Sequence, residues 1–183
     1  MNQLKLIDFK VKIFTFSITF FQGMLLSQQV EIISGDINRT FRINLPNDTS
    51  NTLPMMILMH GMGQSSANMY GPAIYFSNAN FISVRPQSGS YENSSGDGYI
   101  NLWNAILDSQ KLDDVKFISD IIDYMITNYE FLDFKRIYVA GFSNGGYMAY
   151  RLSCDLSNRI TAFGSVAGNM YLIDDGFDCK DQG

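Results

Sequence analysis

The feature that most constrains this chain is the run Ile137-Tyr138-Val139-Ala140-Gly141-Phe142-Ser143-Asn144-Gly145-Gly146. An apolar segment meets a Gly-x-Ser-x-Gly pentapeptide and passes straight into a helical pattern. A serine so placed sits on a sharp strand-to-helix turn, with its hydroxyl lifted above the end of a sheet. The turn demands glycine at Gly141 and Gly145, because a side chain at either position would strike the strand leaving the turn or the helix entering it. It also aims the backbone amide of Asn144 at the oxyanion that forms when the serine attacks a carbonyl. The five-residue pattern alone is moderately specific. The apolar strand before it and the amphipathic helix after it supply the context it needs, so Ser143 is read as a nucleophile rather than as a serine in an ordinary turn.

The rest of the chain alternates between strand-like and helix-like segments. Residues 30–33 and 40–45 alternate around the turn-prone Ser34-Gly35-Asp36, which predicts an antiparallel hairpin. Residues 55–59 form a continuous apolar run between Pro54 and Gly61, as expected of a strand covered on both faces. Residues 81–84, 137–140 and 162–166 read as further strands. A helix is predicted over 113–128, with Val115, Ile118, Ile122, Met125 and Tyr129 on one face and Asp113 or Asp114 capping its start. A second helix follows the serine over 144–156. This order implies an α/β domain with a mostly parallel sheet and flanking helices. Residues 88–97, rich in Ser, Gly and Asn, read as a long loop near Trp103.

After the 55–59 strand stands His60-Gly61-Met62-Gly63-Gln64, a glycine-bent loop suited to give the second oxyanion-hole amide, from Gly61 or Met62. His60 is the one histidine of the chain, which tempts a reading as general base. Serine elbows of this kind are followed, not preceded, by their acid and histidine. His60 is therefore read as a hydrogen-bonded histidine beneath the loop.

Composition closes off other chemistries. With 13 Lys and Arg against 18 Asp and Glu, a net charge of -5 and no basic run, the chain does not suit a nucleic-acid backbone. One histidine and two cysteines cannot build a zinc site of the usual spacing, and no nucleotide or flavin motif is present, so neither metal nor cofactor is expected. Lys5, Lys10 and Lys12 precede an apolar run over 13–21 that continues through Gly23-Met24-Leu25-Leu26 to Ser27, the pattern of a secretory signal. A spanning helix would need about 20 predominantly apolar residues, and Thr15, Ser17, Thr19 and Gln22 interrupt this shorter run. A buried N-terminal helix is the remaining alternative. The expectation is a signal over 1–27, a domain over 28–183, a secreted or extracytoplasmic protein, and no stable membrane insertion once the signal is removed. Export usually means an oxidising compartment, so Cys154 and Cys179 are candidates for a disulfide, against the alternative of two unpaired thiols.

The motifs over 56–64, Trp103-Asn104, the run 113–118 and the elbow with its helix over 136–152 occur in a characteristic order. Together they resemble the secreted polyhydroxybutyrate depolymerase and feruloyl esterase family of α/β hydrolases, from about residue 30 to residue 168. The resemblance implies an α/β-hydrolase fold, Ser143 as nucleophile, and oxyanion-hole amides from Asn144 with Met62 or Gly61. It further implies a bridge between Cys154 and Cys179, and Trp103 near an acyl pocket. The implied activity is hydrolysis of carboxylic esters through an acyl-enzyme on Ser143, on feruloyl or acetyl groups of plant polysaccharide or on a polyhydroxyalkanoate. In that family a catalytic Asp and then a catalytic His follow the elbow. Here no histidine follows Ser143, and Asp155, Asp174, Asp175, Asp178 and Asp181 read as surface carboxylates. The expectation is a hydrolase fold truncated after its nucleophile half, with the chain as given inactive. A non-catalytic exported binding module and a serine peptidase of the same fold are the alternatives.

Overall fold

The computed structural model describes residues 27–106 and 111–169. The predicted signal segment through residue 26, Cys179 and the four aspartates from Asp174 onward lie outside the described residues.

The predicted opening hairpin forms from β1 (Gln28–Ser34) and β2 (Ile37–Asn44), which pair antiparallel around Gly35 at φ 64°. Then come β3 (Leu53–Met59), a 3-10 turn (Ser66–Met69) running into α1 (Tyr70–Asn78), and β4 (Ile82–Pro86). Further along lie β5 (Gly89–Glu92), β6 (Tyr99–Leu102), α2 (Asp114–Asn128), β7 (Leu132–Phe142), α3 (Asn144–Asp155) and β8 (Ala162–Val166). Six strands make one sheet in the order β1-β2-β4-β3-β7-β8. From β4 to β8 the pairing is parallel, while β2 meets β4 antiparallel.

The two faces of the sheet are packed unequally. Met55, Ile57 and Met59 of β3 join Ile137 and Val139 of β7 in a large core with Phe117, Ile118, Ile121 and Ile122 of α2 and Met148, Ala149 and Leu152 of α3. Each such side chain contributes roughly 1.5–3 kcal/mol on burial. On the other face Leu58 packs with Met69 and Ala73 of the α1 region in a much smaller cluster. Asp113 caps α2, its carboxylate accepting from the Lys116 amide at 2.9 Å.

Two features depart from the sequence reading. Residues 88–97 are not simply a loop, because β5 pairs with β6 in a separate antiparallel hairpin. The polar tip between these strands hides the short alternation on either side of it. Helix α1 was not foreseen, since it buries only Ala73 and Ser77 within its span and so shows no apolar stripe.

Candidate active site

Ser143 holds φ 50° and ψ -117°, a backbone conformation that ordinary residues avoid at a cost of about 1–3 kcal/mol. The surroundings enforce it. The Ser143 amide donates to the Val166 carbonyl of β8 at 2.8 Å, and the Ser143 carbonyl accepts from the amides of Gly146 and Tyr147 at 2.8 and 3.1 Å. The glycines are required by contact: a Cβ on Gly141 would lie 2.0 Å from the Gly145 carbonyl oxygen. One on Gly145 would lie 2.4 Å from the oxygen of Met59 and 2.6 Å from that of His60. Gly145 thus lets the start of α3 abut the end of β3, where the loop of residues 60–64 begins.

That loop is wired so that one amide stays open. The Gly61 amide donates to Gln64 Oε1 at 2.9 Å, and the Gly63 amide to the Asn101 carbonyl at 2.8 Å. The Gly61 carbonyl accepts from the Gln64 amide at 3.1 Å and lies 2.8 Å from His60 Nδ1. The Met62 amide has no partner among the described residues. It belongs to the same planar trans peptide as the Gly61 carbonyl and points the opposite way. Holding that carbonyl down therefore turns the Met62 N–H outward. Of the two amides named from sequence, Gly61 is occupied and Met62 is open.

His60 is fully buried. Its Nε2 accepts from the Ser88 amide at 3.2 Å, so the neutral ring carries its proton on Nδ1 and donates it to Gly61. Burial lowers its pKa from 6.5, against the opposing pull of the Gly61 hydrogen bond and of Asp114. With both nitrogens committed, His60 has none to offer a serine. It is the histidine beneath the loop that the sequence reading expects.

Trp103 is buried at 1% exposure, so it packs beneath the site rather than forming an open wall. Its indole N–H donates to the His60 carbonyl at 2.9 Å, and its ring lies 5.1 Å from the His60 ring. Asn144 Oδ1 accepts from the Trp103 amide at 2.7 Å, and Asn144 Nδ2 donates to the Trp103 carbonyl at 3.3 Å. A buried polar network holds the next residue. Asp114 accepts from Arg39 at 2.6 Å and from the Asn104 amide at 2.7 Å, while Arg151 of α3 donates to the Asn104 carbonyl. Burial pushes the Asp114 carboxyl up, and Arg39, the Asn104 amide and Arg151 pull it down. Asp155 pairs with Arg151 at 3.1 Å on the partly exposed side of α3, as a surface carboxylate would.

Gln64, Arg39, Asp114, Arg151 and Val166 all bear on the site and were not singled out from sequence as doing so. Val166 acts through its backbone, and the others are polar residues with no periodicity to mark their partners. Among the described residues no cluster of His, Cys, Asp or Glu could hold a metal ion, and no helix is long and apolar enough to cross a membrane.

The phospholipase/carboxylesterase family model matches residues 40–174, three quarters of the chain, and spans both halves of this site. The chain belongs to that family. It is 28% identical over 134 residues to a bifunctional acetylxylan esterase/xylanase of Neocallimastix patriciarum, covering 71% of this chain and 18% of that protein. Among solved structures it resembles an acetyl xylan esterase from Aspergillus awamori, with TM-score 0.60, 19% identity, and 76% of this chain against 53% of the other covered. It also resembles a ferulic acid esterase, with TM-score 0.61, 16% identity and coverages of 85% and 63%. These similarities establish the α/β-hydrolase fold. The chain spans less than a fifth of its curated relative and somewhat over half of these solved structures.

Proposed function

We propose that this carboxylesterase-family chain is the nucleophile-bearing part of an exported serine esterase, acting on acetyl or feruloyl esters of plant polysaccharide. The observation that carries the reading is Ser143, held at φ 50° on a turn whose next amide, that of Asn144, heads α3, with the open Met62 amide on the adjoining loop. In this reading Ser143 Oγ adds to the ester carbonyl carbon, and the carbonyl oxygen gains negative charge between the Met62 and Asn144 amides. The tetrahedral species collapses with loss of the alcohol, leaving an acyl group on Ser143 that water removes as the free acid. The Ser143 proton passes to a general base and then to the departing alcohol oxygen. His60 is not that base, so the reading places the base in a part of the protein beyond these residues. The names of the similar proteins favour polysaccharide esters, with polyesters as the other class to test. In this reading Cys154 and Cys179 pair in a disulfide, as export to an oxidising compartment would allow.

The test is hydrolysis of acetylated xylan, methyl ferulate, polyhydroxybutyrate and an activated acetyl ester by the native full-length protein, beside its Ser143→Ala variant. Activity on the first two that falls by several powers of ten in the variant supports the proposal. A folded wild-type protein inert to every ester and to a fluorophosphonate probe would sink it in favour of a binding module, and cleavage of peptides alone would assign a peptidase.

A further inference from the structure

We infer that Asn144 and Trp103 are positioning residues that set the gap between the two oxyanion-hole amides, an inference that rests on the serine reading of Ser143. Asn144 has two distinct roles. Its backbone amide stands at the elbow, while its side chain grips the backbone of Trp103 in both directions, accepting from the amide at 2.7 Å and donating to the carbonyl at 3.3 Å. A two-way grip of this kind fixes residue 103 relative to the first turn of α3 in both translation and rotation. Trp103 then carries the constraint across the site. Its indole N–H donates to the His60 carbonyl at 2.9 Å, and the His60 ring in turn holds the Gly61 carbonyl at 2.8 Å. That carbonyl belongs to the peptide whose other end is the Met62 N–H. Hydrogen bonds at three residues therefore join the side chain of one oxyanion residue to the amide of the other.

Two further observations show that the link is stiff. The Asn104 amide and carbonyl are pinned by Asp114 and by Arg151 of α3, so the segment cannot swing about residue 103. Gly145 leaves no slack between the helix and the oxygens of Met59 and His60, which closes the same circuit through backbone contact. Plain packing would explain a buried Trp103, but not why its amide and its indole N–H bond to the two halves of one site, while its carbonyl is shared between Asn144 and the Ala105 amide. An oxyanion hole works by holding its donors in place before charge develops. The brace supplies that preorganisation.

The experiment uses ¹H–¹⁵N spectra and amide exchange of wild type, Asn144→Ala and Trp103→Phe. The first variant keeps the residue 144 amide and removes only the grip. The second keeps an aromatic ring but removes the indole N–H together with part of the ring volume, so Asn144→Ala is the variant that separates the brace from packing. Trp103 is the one tryptophan, so its indole signal is unambiguous in the wild type and in Asn144→Ala. Asn144→Ala should displace the Met62 amide resonance and speed exchange of the indole N–H about tenfold or more, and Trp103→Phe should displace the Met62 and residue 144 amides together. A Met62 amide unmoved in both variants, even with a lowered melting temperature, assigns packing alone and overturns the inference. In native full-length protein that reacts with a fluorophosphonate, each variant should cut the maximal phosphonylation rate about tenfold with its half-saturating concentration unchanged, a fraction of the effect of deleting a donor outright. Wild-type rates in both variants also overturn it. An unreactive wild type instead removes the serine reading and leaves the spectra to decide the brace.

Discussion

Strands β3 and β8 flank the same strand, β7, and pair with it in the same parallel sense, yet β3 is buried at six of its seven residues and β8 is exposed at four of its five. Parallel strands normally have both faces covered. β3 meets that condition, with β4 beyond it and apolar layers above and below. Among the described residues β8 is the edge of the sheet and leaves Phe163 and Val166 open at 41% and 61% exposure. The exposed strand is nevertheless part of the site, because the Val166 carbonyl holds the Ser143 amide. The elbow therefore stands on a seam. Its oxyanion side is built on packed structure, and its other side rests on the backbone of an open edge.

The largest effect should come from the packed side. Asp114→Ala would strand the buried Arg39 guanidinium and release the Asn104 amide, and breaking a buried pair this way costs about 3–5 kcal/mol. Urea denaturation measures it, and a loss below about 1 kcal/mol would mean the polar network does not hold the 103–104 segment. Ile57→Ala, in the fully buried middle of β3, should follow at about 2–5 kcal/mol, the range for emptying a core position. An Ile57 cost no larger than that of an exposed β8 residue would erase the contrast between the strands.

A smaller effect belongs to His60. Its folded-state pKa lies below the 6.5 of the unfolded chain, so well above pH 6.5 both states are neutral and the group adds nothing to the pH dependence. Below that value the unfolded chain takes up the proton first, and stability falls as pH falls. Asp114 acts with the opposite sign, because burial raises its carboxyl from 3.8 and stability then rises as pH falls through its folded-state pKa; it is present in both wild type and His60→Gln, so the difference between the two isolates His60. Thermal melts from pH 7.5 to 5.5 should show a declining midpoint that flattens in His60→Gln. An unchanged slope in that variant would mean His60 is not held neutral.

Most of the sheet was legible because its residues announce themselves: the alternation around Gly35, the apolar run 55–59, and the glycines flanking Ser143 each demand one local geometry. The elbow was legible for the same reason, since sterics at Gly141 and Gly145 act within a few residues. What was not legible depends on distant partners. Nothing in sequence marks Asp114 rather than Asp113 as the buried carboxylate, because the two differ only in which faces Arg39. The choice of Met62 over Gly61 turned on Gln64, a polar side chain with no pattern of its own. Helix α1 escaped because a sheet face with a small apolar cluster asks little amphipathicity of the helix covering it.

The smallest prediction tests the open edge. Val166→Ala removes side-chain atoms that are mostly in water and keeps the carbonyl that holds Ser143, so in this chain it should change stability by no more than about 0.5 kcal/mol. The same substitution in the native full-length protein should cost roughly 1.5 kcal/mol more if a further element covers β8, the burial of two carbon groups. Equal small costs in both chains would mean that β8 stays an edge and that the seam beneath the nucleophile is permanent. A large cost already in this chain would mean that Val166 supports the elbow through its side chain, and the division between packed and open strands would have to be redrawn.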